Sequence, residues 1–242
     1  PQGAPSHLRA GRVSRLAIFC HLYLFFVTSR LKYFCQEPLT VDFYARTNFG
    51  MLHTESLRAD GRKEIALIYT MTLNPALDYV MHPLTLDMGF TNRSSSEELY
   101  CGGNGINIST LLKELDVPSI AMGIAGGFTG DYLLTELQDK GIASNFVRLD
   151  RGNTRINIKL NGIVMTMVNG MGPKIPEKKV DELLERMDVV RAGDTLVLTG
   201  SIPNSLPEDI YTQIMGKLAG RGIQFVVDAP GQLLMESLKA HP

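Results

Sequence analysis

The residues with the most chemical potential cluster in the stretch Cys101-Gly102-Gly103-Asn104-Gly105-Ile106-Asn107-Ile108-Ser109. Three glycines within four positions open onto an amphipathic run from Ile106 to Leu115, with apolar residues mostly at helical spacing. A glycine turn feeding a helix N-terminus offers free backbone N–H groups and the positive end of a dipole. That arrangement suits an anion or a polyhydroxylated ligand, and glycine lets such a ligand approach the backbone. The plainer reading is a tight strand-to-helix turn without a ligand. Further polar groups follow apolar runs elsewhere: Asp78, Gly200-Ser201 and Asp228. Asp78 is suited to accept hydrogen bonds from sugar hydroxyls, and Asn107 offers both donor and acceptor. Arg155 carries a forked guanidinium that can clamp a phosphate. Taken singly, each has a structural alternative: Asp78 a turn or cap, Arg155 a surface strand charge, Asp228 a helix cap.

The elements that would position these groups alternate between strand and helix. Ile65 to Leu73 is a continuous apolar run that reads as a buried parallel strand, with Asp78 just past its end. Residues 79–100 read as short strands around a Ser94-Ser95-Ser96 turn cluster. Ser119 to Gly126 reads as a second buried strand, with a helix from Asp131 to Lys140 stopping at Gly141. Arg155 to Leu160 alternates polar and apolar residues, and Asn161-Gly162 signals a hairpin answered by Ile163 to Val168. This pair is expected to be antiparallel and to form a small separate sheet. Pro176 to Met187 is an amphipathic helix, 194–199 a buried strand, 208–218 a helix, and 224–227 a strand ending at Asp228. Such alternation predicts an α/β fold with a mostly parallel sheet, its carboxyl ends lining one ligand-binding edge.

The chain has 242 residues, 44% hydrophobic and 20% charged, with a formal charge of −1. This is the composition of a globular protein with a substantial core, with no global attraction to nucleic acid or anionic membrane. Three cysteines without metal-ligand spacing suit a reducing, cytoplasmic compartment. No run reaches the roughly 18 apolar residues of a membrane span. No Gly-Lys-Ser/Thr phosphate loop is present, and Gly102-Gly103-Asn104-Gly105 lacks dinucleotide spacing. Residues 1–66 differ from the rest, with nine basic and five acidic side chains against fifteen and twenty beyond them. They include a short apolar run, Leu16 to Thr28, behind three arginines. We expect them to be an extension foreign to the domain at 67–242, with residues 1–50 making few contacts with it.

Several motifs occur in a specific order: Tyr69-Thr70-Met71-Thr72-Leu73-Asn74-Pro75-Ala76-Leu77-Asp78-Tyr79, Asn92-Arg93, Gly102 to Asn107, Gly127-Phe128-Thr129-Gly130, Thr154-Arg155-Ile156-Asn157, Asn169 to Pro173 and Gly200-Ser201-Ile202-Pro203. In this, the chain from about Leu67 resembles the ribokinase-like (PfkB-type) carbohydrate kinases. It looks most like their 1-phosphofructokinase branch, with tagatose-6-phosphate kinases as near neighbours. The resemblance implies a three-layer αβα fold with a mostly parallel sheet and a small β lid. It implies that ATP with Mg²⁺ phosphorylates fructose 1-phosphate to the 1,6-bisphosphate, and that a homodimer can form through the lid.

By motif position it also implies that Asp78, Gly102, Gly103 and Asn107 hold sugar hydroxyls, that Arg155 lies near the substrate phosphate and Ser201 near the substrate. Arg93 and Asn104 are lesser candidates, since the branch usually has Lys where Asn104 stands. The family's Gly-Ala-Gly-Asp motif, with the catalytic base, is absent from the sequence, so that base is expected beyond Pro242, the fold incomplete at its C-terminus, and no catalytic residue is assigned. A sugar-phosphate-binding fragment without catalysis and a nucleotide-binding oxidoreductase are the competing readings.

Overall fold

The structure, a computed structural model, describes residues 55–57 and 63–240. Most of the foreign-extension region at 1–66, and so its expected scarcity of contacts, lies outside the described residues. A short antiparallel hairpin pairs β1 (Glu55–Leu57) with β2 (Lys63–Ile65). The apolar run expected as one strand divides here, since β3 starts only at Ile68 and ends at Thr72. Then follow β4 (Ala76–Pro83), β5 (Ser94–Gly102), α1 (Asn104–Glu114), β6 (Ser119–Gly126), α2 (Gly127–Asp139) and β7 (Ala143–Leu149). The remainder comprises β8 (Arg155–Asn161), β9 (Met165–Asn169), α3 (Glu177–Arg186), β10 (Thr195–Thr199), α4 (Ile210–Leu218), β11 (Gln224–Asp228) and α5 (Gly231–Leu238).

Five of these strands form an all-parallel sheet in the order β11-β10-β3-β6-β7. The chain winds outward from β3 through β6 to β7, then restarts on the other side with β10 and β11. The topological switch therefore lies between β3 and β10, where open α/β sheets form their ligand crevice. Alternation along each strand splits the core into two layers. Tyr69, Met71, Met122, Ile124, Val147, Leu196 and Leu198 point to one face, which Leu183 of α3, Ile210 and Ile214 of α4 and Leu233 of α5 cover. Ala121, Ala125 and Phe146 point to the other, under Ile106 of α1 and Leu133 and Leu137 of α2. The result is the expected αβα sandwich.

Polar contacts fasten α1 to the central strand. Thr70 and Ser109 share a buried hydroxyl–hydroxyl bond of 2.7 Å, and the Ile106 amide donates to Thr72 Oγ1 at 3.1 Å. The outer edge of β7 is guarded by α3: Arg186 Nη1 donates to the Phe146 carbonyl at 3.0 Å and to Asn145 Oδ1 at 2.7 Å. An arginine on a strand's outward carbonyl blunts an edge that would otherwise invite another strand.

The second sheet is a four-stranded lid in the order β5-β4-β8-β9. The expected antiparallel pair is its β8–β9 half, although the second strand begins at Met165 rather than Ile163. Ile163 and Val164 instead stand exposed in the connecting loop. Residues 79–100, read as short strands, form the ends of two long ones, β4 and β5, of eight and nine residues. The Ser94-Ser95-Ser96 cluster is strand rather than turn. The helix expected from Asp131 begins earlier: α2 starts at Gly127, directly after β6, and Thr129 Oγ1 donates to the Thr154 carbonyl at 2.7 Å.

Candidate active site

The site forms where the lid meets the switch point of the parallel sheet. Asp78 lies beyond the end of β3, as the sequence indicates, but on the lid strand β4 rather than in a turn. The expectation that Asp78 and the start of the glycine turn lie at parallel-strand ends is therefore corrected, because Asp78 and Gly102 belong to lid strands, whereas Arg155 stands on the hairpin strand β8 as expected. Their register explains how they meet. Ala76 pairs with Gly102 and Arg155, and Asp78 pairs with Tyr100 and Asn157. With a period of two, Asp78, Gly102, Tyr100, Arg155, Asn157 and Lys159 share one face of the lid.

Both carboxylate oxygens of Asp78 are engaged. Asn157 Nδ2 donates to Oδ1 at 2.7 Å, and Lys159 Nζ pairs with Oδ2 at 2.7 Å. Gly102 packs against the same carboxylate: a Cβ there would come within 2.9 Å of Oδ2. Arg155 is anchored through its stem side, Nε donating to the Asn74 carbonyl at 3.2 Å and Nη1 to the Gly170 carbonyl at 3.4 Å. Burial lowers the guanidinium's pKa from its ordinary value, while the charge of Asp78 pulls it back up. Two buried acceptors at this place lack a hydrogen-bond partner, Asn74 Oδ1 and Asn157 Oδ1. The orientation of the Asn157 amide is fixed chemically, because its NH₂ must face the carboxylate.

The glycine turn completes the floor. Gly103 precedes α1 with φ 126°, a conformation glycine tolerates, and a Cβ there would lie 2.6 Å from Thr72 Cγ2. The amide of Ile106 is taken by Thr72 and that of Asn107 begins the helical ladder on the Gly103 carbonyl at 2.9 Å. The first-turn amides of Asn104 and Gly105 have no intrahelical acceptor, and of the two residues Asn104 is partly exposed while Gly105 is buried. The Asn107 side chain is exposed. Asn104 faces Gly200 across the switch point, where a Cβ on Gly200 would stand 3.5 Å from Asn104 Cβ. Exposed Ser201 follows directly on this loop. Gly200 is held by Tyr211, whose hydroxyl donates to its carbonyl at 3.2 Å. Asp228 accepts from Thr199 Oγ1 at 3.0 Å, which gives it a structural part between β10 and β11.

Arg93 is not brought to this place within the chain. It is exposed and precedes Ser94, which pairs with Pro83 at the far end of the lid. Eight residues of β5 separate that end from Gly102, roughly 26 Å at about 3.3 Å per residue. Sequence reasoning missed Lys159 and the part played by Asn157. The signal was present: Arg155, Asn157 and Lys159 are alternate polar residues of one strand and must share a face.

Two hollows lie elsewhere. One, of about 530 Å³, runs along Leu134, Gly141 and Phe146 to Arg186, and another, of about 320 Å³, sits by Gly127 and Arg148. Neither holds an unpartnered buried side-chain atom among the described residues, so the chemistry points to the lid face. No three His, Cys, Asp or Glu side chains converge as a metal site among the described residues.

A match to the pfkB family of carbohydrate kinases covers residues 71–237. A 1-phosphofructokinase of Bacillus subtilis is 41% identical over 176 residues, covering 73% of this chain and 58% of the relative. A D-tagatose-1-phosphate kinase of Bacillus licheniformis is 32% identical over 73% of this chain and 58% of its own length. In three dimensions, phosphofructokinase-2 of Escherichia coli in complex with fructose-6-phosphate superposes with a TM-score of 0.68 at 26% identity, over 73% of this chain and 59% of that one. The chain thus spans a little under three fifths of the length of these relatives.

Proposed function

Because the chain belongs to the pfkB family of carbohydrate kinases, we propose that it carries the sugar-phosphate site of a 1-phosphofructokinase-type enzyme. Its reaction is transfer of a phosphoryl group from ATP to fructose 1-phosphate. The observation that carries this reading is Asp78, a carboxylate oriented by Asn157 and Lys159 and accommodated by the missing side chain of Gly102, with Arg155 near enough for the two charges to interact. Asp78 accepts the sugar hydroxyls, and the partly exposed Gly103 leaves the backbone of the turn within reach of the ring. Asn107 adds a donor and acceptor from the first turns of α1, and Ser201 closes the far side of the crevice.

Arg155, held by backbone carbonyls at Nε and Nη1, presents the remaining N–H groups of its fork to the phosphate. These groups orient the acceptor, which is the protein's main contribution in phosphoryl transfer. ATP, when bound, supplies the phosphoryl group with Mg²⁺ as its counter-ion. The described residues do not form a site for Mg²⁺, and we assign none of them to either. The domain is taken to begin near residue 67, in keeping with a family match that starts at 71. The exposed far end of the lid, with Arg93, is read as a contact between two copies in a homodimer, and the compartment as the cytoplasm.

Titration calorimetry with fructose 1-phosphate tests the site. Binding is expected in the chain as it stands, and Asp78→Asn is expected to weaken it at least about tenfold, the scale of a lost hydrogen bond to a charged group. Unchanged affinity in that variant overturns the assignment. The relative named a D-tagatose-1-phosphate kinase supports a second reading of the same site, as does a tagatose-6-phosphate kinase of Staphylococcus epidermidis at 32% identity. A panel of the three sugar phosphates separates them, with fructose 1-phosphate expected to bind tightest.

A further inference from the structure

Tyr211 carries a hydroxyl in a place where a plain aromatic ring would fill the space. It is 0% exposed and lies on α4 in the larger core layer, with Ile210, Ile214 and Leu196. A buried hydroxyl is costly unless it is hydrogen-bonded. This one donates to the Gly200 carbonyl at 3.2 Å. Burial foremost, and then the charge of Asp228, raise its pKa, so the proton stays on the oxygen. Gly200 is the first residue beyond β10. It is held at both of its backbone groups, since its N–H donates to the Asp228 carbonyl at 2.8 Å. Its φ of 87° is one that glycine adopts freely. A Cβ there would stand in ordinary contact with Asn104, at 3.5 Å. The backbone angle, rather than lack of space, therefore calls for glycine.

The Gly200–Ser201 peptide is planar and trans, so its carbonyl and the following N–H point in opposite directions. With the carbonyl drawn onto a buried hydroxyl, the Ser201 N–H turns away from Tyr211. Ser201 itself is exposed, and its N–H has no acceptor among the described residues. We infer that Tyr211 is a positioning residue: by fixing this peptide plane, it aims the Ser201 N–H at an oxygen of the bound sugar phosphate. The inference rests on the sugar-phosphate reading of the site, which puts Ser201 on the far side of the crevice. Next to a glycine the plane is otherwise free to rotate. Setting it before the ligand arrives removes that ordering cost from binding. Tyr211 acts through the backbone alone, from a helix to which no substrate contact is assigned.

Two measurements on the full chain test this. In wild type, saturating fructose 1-phosphate is expected to slow hydrogen exchange of the Ser201 amide, followed by NMR, at least about tenfold. Ser201→Ala keeps the N–H, and the protection at residue 201 is expected to persist in it. Tyr211→Phe keeps the ring and loses the hydroxyl. It is expected to unfold cooperatively in urea, to bind fructose 1-phosphate at least about fivefold more weakly by calorimetry, the scale of one hydrogen bond, and to lose the protection at Ser201. A purely structural hydroxyl would lower the urea midpoint but leave both the affinity and the ligand-induced protection in place, and that result overturns the proposal. So does a wild type that binds fructose 1-phosphate without protecting the Ser201 amide, which decides the matter even if the Phe variant fails to fold. A wild type that binds no fructose 1-phosphate overturns the functional reading, and the proposal with it.

Discussion

Cys101 sits next to Gly102 on β5, yet its thiol is not poised for reaction. Burial, foremost, lifts its pKa from an ordinary 9.0 to about 11, with Lys140 opposing that shift. At pH 8 the folded protein therefore holds roughly a hundredfold less thiolate at this position than the unfolded chain, one decade per pKa unit. Alkylation mapped by peptide mass should be slow at Cys101 in buffer and fast in denaturant; equal rates would show the thiol to be solvated. The sign for stability follows from the same shift. The unfolded thiol gives up its proton first, so the stabilising contribution is complete below about pH 9 and is lost as pH rises towards 11. A second residue-scale prediction concerns Asn104, which faces Gly200 at the mouth of the crevice. Asn104→Lys should tighten fructose 1-phosphate binding by about 1–3 kcal/mol if the new ammonium reaches the phosphate. An unchanged dissociation constant would place position 104 away from it.

At the scale of elements, α1 and its glycine turn depend on close contact with β3. A Cβ on Gly105 would meet Thr72 Oγ1 at 2.5 Å and the Met71 carbonyl at 2.9 Å. Gly105→Ala should therefore push α1 off the sheet, at a cost of about 1–3 kcal/mol in unfolding free energy measured by urea denaturation, and weaken sugar-phosphate binding with it. A stable variant with normal binding would show that the turn does not position the site. Arg186→Ala should remove the guard on β7 and lower stability by about 1 kcal/mol, because its side chain is one-third exposed.

Much at this scale was legible. Ser119 to Gly126 reads as a buried strand because apolar residues fill both of its faces, and the helix behind Pro176 follows from its apolar stripe. Asn161-Gly162 announced the hairpin. The lid strand β5 was not legible, because Ser94 to Cys101 is largely exposed and lacks the alternation that marks a half-buried strand. Nor does any local signal tell that β4 runs parallel to β8 with Asp78 opposite Asn157. The alternation of Arg155, Asn157 and Lys159 shows that they share a face, but the importance of Lys159 comes from a partner far away in the chain.

For the whole molecule, the two outer strands of the parallel sheet contrast. Arg186 covers β7, whereas among the described residues β11 pairs only with β10, and its Phe225, Val226 and Val227 are half-buried. An apolar strand with an open side recruits other strands. Sedimentation velocity should therefore show concentration-dependent self-association of the chain, which Val226→Lys reduces; a monodisperse wild type would count against an open edge. Removing residues 1–54 should leave fructose 1-phosphate affinity unchanged, as calorimetry can verify, if the domain begins where the family match does.

The parallel join of β4 to β8 bears on how the molecule comes into being. Its partners Asp78 and Asn157 are separated in sequence by all of β5, α1, β6, α2 and β7. Contacts that close so long a loop cost entropy before they return any stability. The lid should thus assemble last, on a parallel sheet already made, and its β8 amides should be the last to gain protection when refolding is followed by pulsed hydrogen exchange. A chain caught partway would hold a nearly complete core while still being unable to recognise a sugar.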